Sequence, residues 1–366
     1  MKYIFFVLNV VTVLAGHYLL FLIWRYFFGL SGFYSQLIVI FLLFVSVFLT
    51  VVAPLLVYWR DNIFSRSLYL AVALWMGMML NIGLVAALFF LLGAVGFYQT
   101  EACPLALKAC LISLVPALML LPEAWLAQTS QIKRFEVKIK DLPAAWVGRE
   151  IVHISDIHLG PIWRQRFFDY AVNRVNAIGA AAIFITGDVF DGMDGDFSWF
   201  CQRQFSAPLG VFYAFGNHDL KLGADKVRSL LSDSNIQILD NEMREVEGLQ
   251  ILGLTCYYQG RLDVKGKILA QVGYEPKKPS LLMYHEPQDI KAARAAGIDL
   301  QLSGHTHAGQ MFPFDILANL LYGGFGHGLH RRRNFTISIT AGVGTWGPPL
   351  RLGSRSEIVV LKLLKA

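Results

Sequence analysis

Four stretches of this chain, near residues 3–24, 36–58, 69–97 and 104–126, are apolar over lengths that suit a hydrocarbon layer. Crossing a layer about 30 Å thick takes about 20 helical residues. The four are therefore expected to be transmembrane helices, with residues 1–127 forming one membrane domain. From residue 128 the composition becomes that of a soluble domain, so the boundary is a change of solvent. Residues 128–147 read as a linker and 148–366 as a catalytic domain. The first stretch is long, lacks a small-residue cleavage site and is followed by further spans, so it is expected to be retained rather than removed as a signal peptide.

Charge between the stretches sets an expected orientation. Lys2, Arg60, Arg66, Lys133, Arg134, Lys138 and Lys140 fall on one side of a four-span arrangement, against Arg25, Glu101 and Lys108 on the other. The positive-inside rule then puts the N-terminus and the soluble domain in the cytoplasm, in a multi-pass protein of the inner (cell) membrane. Much of the net charge of +6 is juxtamembrane and suits the anionic headgroups of a lipid bilayer. No interleaving of aromatic and basic residues marks a nucleic-acid module, so no nucleic-acid partner is expected. Cys103 and Cys110 belong to the last stretch, and Cys201 and Cys256 have no paired spacing, which reads as free thiols in a reducing compartment. Asn9, His17, Asn81 and Glu123 are too few to suggest an ion relay, and His17 is expected to serve packing. An anchoring bundle fits better, and small residues near Gly77 suit a homodimer formed through the spans.

Five of the nine histidines fall in an ordered set of short motifs: Asp156-Ile157-His158, Gly187-Asp188, Gly216-Asn217-His218-Asp219, His285, and Gly304-His305-Thr306-His307. Each follows an apolar run: residues 151–154, 182–185, 211–215, 281–284 and 299–302. Such runs are expected to be buried strands, which puts the polar residues on loops at strand ends. In layered α/β folds ligands and metals converge there. Carboxylate, amide oxygen and neutral imidazole together suit Mn, Zn or Fe rather than Ca. Two such ions about 3.5–4 Å apart can clamp an in-line displacement at phosphorus. Asp188 is the expected bridging carboxylate, being the middle motif with a glycine beside it that permits close backbone approach. Water acidified by both cations would be the nucleophile. His218 follows Asn217 directly and can protonate the leaving oxygen, with Asp219 expected to orient its ring. The acidic run from Asp191 to Asp196 lacks the spacing and terminal Glu of a calcium loop and is expected to be a solvated loop beside the site.

The five motifs in this order resemble the calcineurin-like metallophosphoesterase superfamily over roughly residues 148–364. The resemblance implies a four-layer αββα sandwich of two mixed β-sheets flanked by helices, here joined to an N-terminal α-helical transmembrane bundle. It implies two divalent metal ions, Mn foremost, with Zn or Fe as alternatives. One ion would be held by Asp156, His158, Asp188 and His307, the other by Asp188, Asn217, His285 and His305. The tail from Gly342 to Arg351, with Ala308-Gly309-Gln310, is similar to a bacterial membrane-associated branch. Ala308, where many members have glycine, and Trp346, in a variable slot, bear on substrate selectivity rather than on the metals.

Between the last histidine motif and the final strands, Met311 to Asn334 is rich in Phe, Leu and Gly and ends in a basic cluster, His327 to Arg333. An apolar lobe beside guanidinium groups suits an acylated phosphate ester, with His330 and Arg331 as substrate contacts. The same segment equally suits a flap that docks on the membrane. Residues 163–180 and 223–231 carry apolar positions at helical spacing and are expected to be helices packed on the sheet. The leading expectation is hydrolysis of a lipid-linked phosphodiester or pyrophosphate, such as UDP-diacylglucosamine (a reaction the family includes), a phospholipid headgroup or a polyprenyl carrier. The alternative is a tethered phosphodiesterase for a soluble nucleotide. A non-enzymatic membrane scaffold is disfavoured by the complete ligand set.

Overall fold

The protein is described by a computed structural model covering residues 2–255 and 269–366, with side chains from residue 10 onward. Two compact units divide the chain, Met1–Trp125 and Leu126–Ala366.

The first unit is built from helices α1 (Lys2–Phe27), α2 (Phe33–Trp59), α3 (Ile63–Ala94) and most of α4 (Leu105–Gln128). All four are long and apolar enough to cross a membrane. Their outward faces are apolar, with Phe41, Phe44, Leu55 and Leu88 exposed, while Leu20, Phe27, Leu43, Ile82 and Phe89 pack together inside. α3 starts six residues before the expected position 69, because Asn62 caps Phe64 N and Ser65 N and the Ser65 hydroxyl caps Asn62 N in return. That capping box holds Arg66 inside the first turn, where hydropathy alone sees only a charge. Inside this unit His17 Nε2 lies 2.8 Å from Ser46 Oγ and Asn81 Nδ2 donates to Glu123 Oε2 at 3.0 Å.

The second unit holds two six-stranded mixed sheets. One runs in the order β1 (Gln131–Ile139), β12 (Glu357–Lys365), β2 (Glu150–Ile154), β3 (Ala182–Thr186), β4 (Val211–Ala214) and β5 (Ile236–Ile238). The other runs β10 (Gly328–Arg332), β11 (Phe335–Ile339), β9 (Leu300–Ser303), β8 (Ser280–Tyr284), β7 (Leu249–Leu254) and β6 (Glu242–Val246). Alternation along the strands sorts side chains between layers. Phe184 and Ala182 face a core shared with Leu281, Met283 and Leu300 of the other sheet, whereas Ile183 and Ile185 face outward. Outside the first sheet lie α5 (Gln165–Asn176) and α7 (Ala224–Leu231), supplying Phe168, Val172, Val175 and Leu231. Outside the second, α8 (Ile290–Ala295) packs Ala293 against Leu282 and Ile337. The result is the four-layer αββα sandwich, with both expected helices present.

The segment expected to be a linker, residues 128–147, instead contains β1, which pairs in parallel with β12 from Gln131↔Glu357 to Ile139↔Lys365. Its lysines, arginine and glutamate masked the strand; only Val137 and Ile139 are fully buried, as suits a charged edge strand.

Candidate metal centre

β2, β3 and β4 run parallel in one sheet, as do β8 and β9 in the other. All five therefore end on one rim, and each motif lies just beyond such an end. The loops turn sharply there. Asp156 (φ 53°), His158 (53°), Asp188 (52°), His305 (70°) and His307 (51°) all adopt left-handed backbone. Such strain in residues with a Cβ persists only where the surroundings enforce it, and it concentrates at functional sites. A Cβ on Gly216 would collide with the Asp188 carboxylate, so glycine is what lets the β3 and β4 loops meet.

The structure brings the seven expected ligands together. Asp156, His158 and His307 offer donor atoms within 4.8 Å of one another, as do Asp188, His285 and His305. His307 Nε2 lies 3.4 Å from Asp156 Oδ1, and His158 Nε2 lies 3.7 Å from Asp156 Oδ1 and 3.9 Å from Asp188 Oδ2. His285 Nε2 is 3.1 Å from the same Asp188 oxygen, and Asn217 Oδ1 is 2.9 Å from His305 Nδ1. Asp188 thus touches both halves of the cluster. His158, Asp188 and His218 form a third such group.

Electrostatics fit divalent cations. Burial opposes charge on every member, yet the histidines, His307 foremost for Asp156 and His285 for Asp188, hold both carboxyls below the usual range. Burial also opposes charge on His158 and His285. The nearby Asp156 carboxylate and a hydrogen bond to Asp191 for the first, and the Asp188 charge for the second, nevertheless push each up to about 10. Cations bound beside these carboxylates would displace such protons. His305 and His307 are pushed down by burial and suit the neutral ligand form. His285 Nε2 is buried without a hydrogen bond, while its Nδ1 donates to Thr186 O at 2.6 Å, which aims Nε2 into the cluster. The residues therefore fit the group implied.

Two expected roles are corrected. Asp219 does not hold the His218 ring. Its carboxylate accepts from Asp188 N (2.6 Å), Gly216 N (2.9 Å) and Phe190 N (3.0 Å), fastening the β3 and β4 loops. It lies in the first turn of α6 (Asn217–Leu222) and reaches back to the N-cap Gly216, whereas adjacent residues on a helix do not face each other. The ring is held instead by Asp191, whose carbonyl accepts from His218 Nδ1 at 2.8 Å, while Asp191 Oδ1 lies 3.2 Å from His158 Nδ1. Asp191 is thus no solvated loop residue, although Asp194 in the same run is exposed and pairs with Lys226. His330 and Arg331 are not brought to the cluster. His330 Nε2 donates to His327 O (2.9 Å), Arg331 donates to Glu136 O (2.7 Å), and no hydrogen bond or ion pair among the described residues links either to the ligands. β10 lies at the edge of its sheet.

Sequence reasoning also missed two neighbours. Lys221 Nζ lies 3.2 Å from His218 Nε2, one helical turn on. Arg351, fully buried, donates to His307 O, Ala341 O and Gly344 O. The signal for Lys221 is its i+3 spacing; no signal announces the Arg351 contacts, although the tail containing it stood out.

The calcineurin-like phosphoesterase family matches residues 149–309, the stretch that holds every one of these ligands. The chain carries a calcineurin-like phosphoesterase domain. Relatives include an uncharacterized metallophosphoesterase of Campylobacter jejuni, 34% identical over 64% of this chain and 64% of that one. One from Helicobacter pylori strain 26695 is 33% identical over 59% of this chain and 60% of its own length. A Danio rerio protein described as a transmembrane protein with metallophosphoesterase domain is 31% identical over 66% of this chain and 59% of its own. The matches thus span about three-fifths of these relatives.

Proposed function

We propose that this chain is a membrane-anchored, metal-dependent hydrolase of a phosphoric diester or pyrophosphate carried on a lipid, with its calcineurin-like domain in the cytoplasm and Mn as the working ion. The observation that carries this reading is the meeting of Asp156, His158, Asp188, Asn217, His285, His305 and His307 on one rim beside His218. When bound, the ions would supply Lewis acidity at phosphorus and an acidified water. The other work belongs to the chain. Asp191 O accepts the His218 Nδ1 proton, so the Nε2 side faces the reaction. In the charged ring, Nε2–H delivers its proton to the leaving oxygen as the P–O bond breaks. Burial pushes the His218 pKa down, and an anionic phosphate beside the ring would offset that. Lys221, poised at the same nitrogen, is placed to pair with a phosphate oxygen. A lipid-borne substrate is favoured by four apolar helices in the same chain and by the exposed apolar surface of Trp346, whose ring lies 5.8 Å from that of His218.

The test is product release from lipid phosphodiesters and pyrophosphates by the full-length protein with Mn, beside a small aryl phosphodiester and a form lacking residues 1–127. Turnover of a lipid only by the full-length protein supports the reading. Equal turnover of the small ester by both forms, with no lipid cleaved, replaces it with a tethered enzyme for a soluble nucleotide. Asp188→Ala in the same assay should lose at least about 100-fold, because even outer-shell partners of metal ligands cost roughly 10–100-fold.

A further inference from the structure

Exposed large apolar side chains in the second unit are not scattered. Among the described residues, Val147 apart, they are Phe312, Phe314, Ile316, Leu317, Leu320 and Leu321, together with Trp346. Five of them lie on one short helix, α9 (Phe314–Leu321), which has no buried residue at all; Leu320 and Leu321 are each 72% exposed. Ile316 and Leu320 stand at i,i+4, and Phe314, Leu317 and Leu321 at i,i+3,i+7, so the side chains form adjoining rows on one broad face. Trp346 joins the neighbouring loop. Gln310, just before Phe312, takes Trp346 N on its Oε1 (3.0 Å) and donates Nε2 to Trp346 O and Pro348 O (3.0 Å each). A contiguous apolar patch of this kind on a soluble unit marks an interaction surface.

The patch borders the metal centre. Tyr322, at the end of α9, has its ring 6.1 Å from that of His305, and Trp346 faces His218. It is also bordered by positive charge. Asn319 of α9 accepts from Gly326 N and Gly324 N, the adjoining Phe325 ring lies 5.7 Å from the Arg332 guanidinium carbon, and Arg331, Arg332 and Arg333 are exposed.

We propose that the α9 face docks into the headgroup and acyl boundary of a lipid bilayer, with Arg332 and Arg333 meeting anionic headgroups. Greasy side chains beside guanidinium groups are the chemistry of an interfacial anchor. Connectivity favours the bilayer over another partner, since only Thr129 and Ser130 separate α4 from β1 and the second unit is held at the membrane if α4 spans it. The proposal rests on reading the four apolar helices as spans and on no particular substrate. Docking would let the rim of the centre meet a phosphate at headgroup depth without lifting the lipid into water.

The test uses the full chain, with Cys103, Cys110, Cys201 and Cys256 replaced by Ser, in nanodiscs of phosphatidylcholine and phosphatidylglycerol. An environment-sensitive fluorophore is placed at Leu317→Cys, and at Val147→Cys as control. Lipids carrying a nitroxide on the acyl chain should quench the probe at 317 and leave that at 147 unchanged. Adding Leu320→Asp and Leu321→Asp should abolish the quenching at 317 while the chain stays in the nanodisc. A chain that enters nanodiscs but shows no quenching at 317, or equal quenching at both positions, overturns the docking and leaves the spans intact. A probe at 317 shielded from water in proportion to protein concentration, yet unquenched by lipid, assigns the face to a second copy and also overturns it. Failure to enter nanodiscs removes the span reading itself.

Discussion

Arg351 has no exposed surface, and its guanidinium is spent on the backbone: His307 O at 3.0 Å, Ala341 O at 2.5 Å and Gly344 O at 2.7 Å. Gly344 N donates in turn to Asp156 O at 2.8 Å, so one side chain ties together the loops that carry Asp156 and His307. Burial pushes its pKa down to about 10, which still leaves it charged at neutral pH. Arg351→Met would leave the buried carbonyls of Ala341 and Gly344 without a donor, each costing about 1–3 kcal/mol, while His307 O keeps only Gln310 N at 2.9 Å. Metal affinity at the Asp156, His158 and His307 half should fall roughly 10–100-fold, as for other outer-shell losses. Calorimetric titration of Mn should show one binding event weakened and the other retained; two unchanged events would refute the bracing role. Arg351→Lys should not rescue, since a single ammonium cannot span three carbonyls. The candidate ligands that meet on the rim were legible in the sequence because carboxylate, amide and imidazole recur after apolar runs. Their left-handed backbone was not, since aspartate and histidine favour it too weakly to mark particular positions. Nor were Asp219 and Arg351, whose partners lie up to 44 residues away, or Asp191, which reads as one acid in an acidic run.

At the scale of elements, β12 carries a buried charge that should make the domain acid-sensitive. Glu357 Oε1 accepts from Ala341 N (2.9 Å) and lies 2.8 Å from His327 Nε2, while Oε2 pairs with Lys133 of β1 at 2.7 Å. Burial alone would raise its pKa, but His327 and Lys133 outweigh it and pull the carboxyl down to about 2 from an ordinary 4.5. A carboxyl depressed in the folded state contributes stability above its unfolded pKa, and that stability is lost as pH falls through the folded value. Near-UV circular dichroism melts should therefore show Tm falling as pH drops from about 4.5 towards about 2, and Glu357→Gln should flatten that fall while lowering Tm near neutrality. An unchanged slope would mean that the β1–β12 charges do not govern acid stability. These strands also mark where element-level reading failed. The parallel strands that carry the candidate ligands are almost wholly apolar and plain in the sequence, whereas β1 is charged at the edge and reads as a linker. α3 begins at a cap that hydropathy does not register.

At the scale of the whole molecule, the candidate ligands come from both sheets: Asp156, His158, Asp188 and Asn217 from one, His285, His305 and His307 from the other. Ions that bind only the folded arrangement stabilise it by mass action, about 2.7 kcal/mol at a concentration 100-fold above Kd. Chelation should thus lower the Tm of the entire second unit, with Mn restoring it; a Tm indifferent to chelator would mean the ions do not clasp the sheets. Orientation is decided differently, because flanking charge acts while the chain is being inserted, before the domain folds. Lys133 counts towards retention at that stage even though it later pairs with Glu357, as does Arg66, which later pairs with Asp61. With four spans, the N-terminus and Ala366 fall on the same side, the one carrying Arg60, Arg66, Lys133, Arg134, Lys138 and Lys140. Green fluorescent protein fused after Ala366 should fluoresce, and alkaline phosphatase at the same point should stay inactive. The reverse pattern would put the metal centre outside the cell membrane, and with it the substrate.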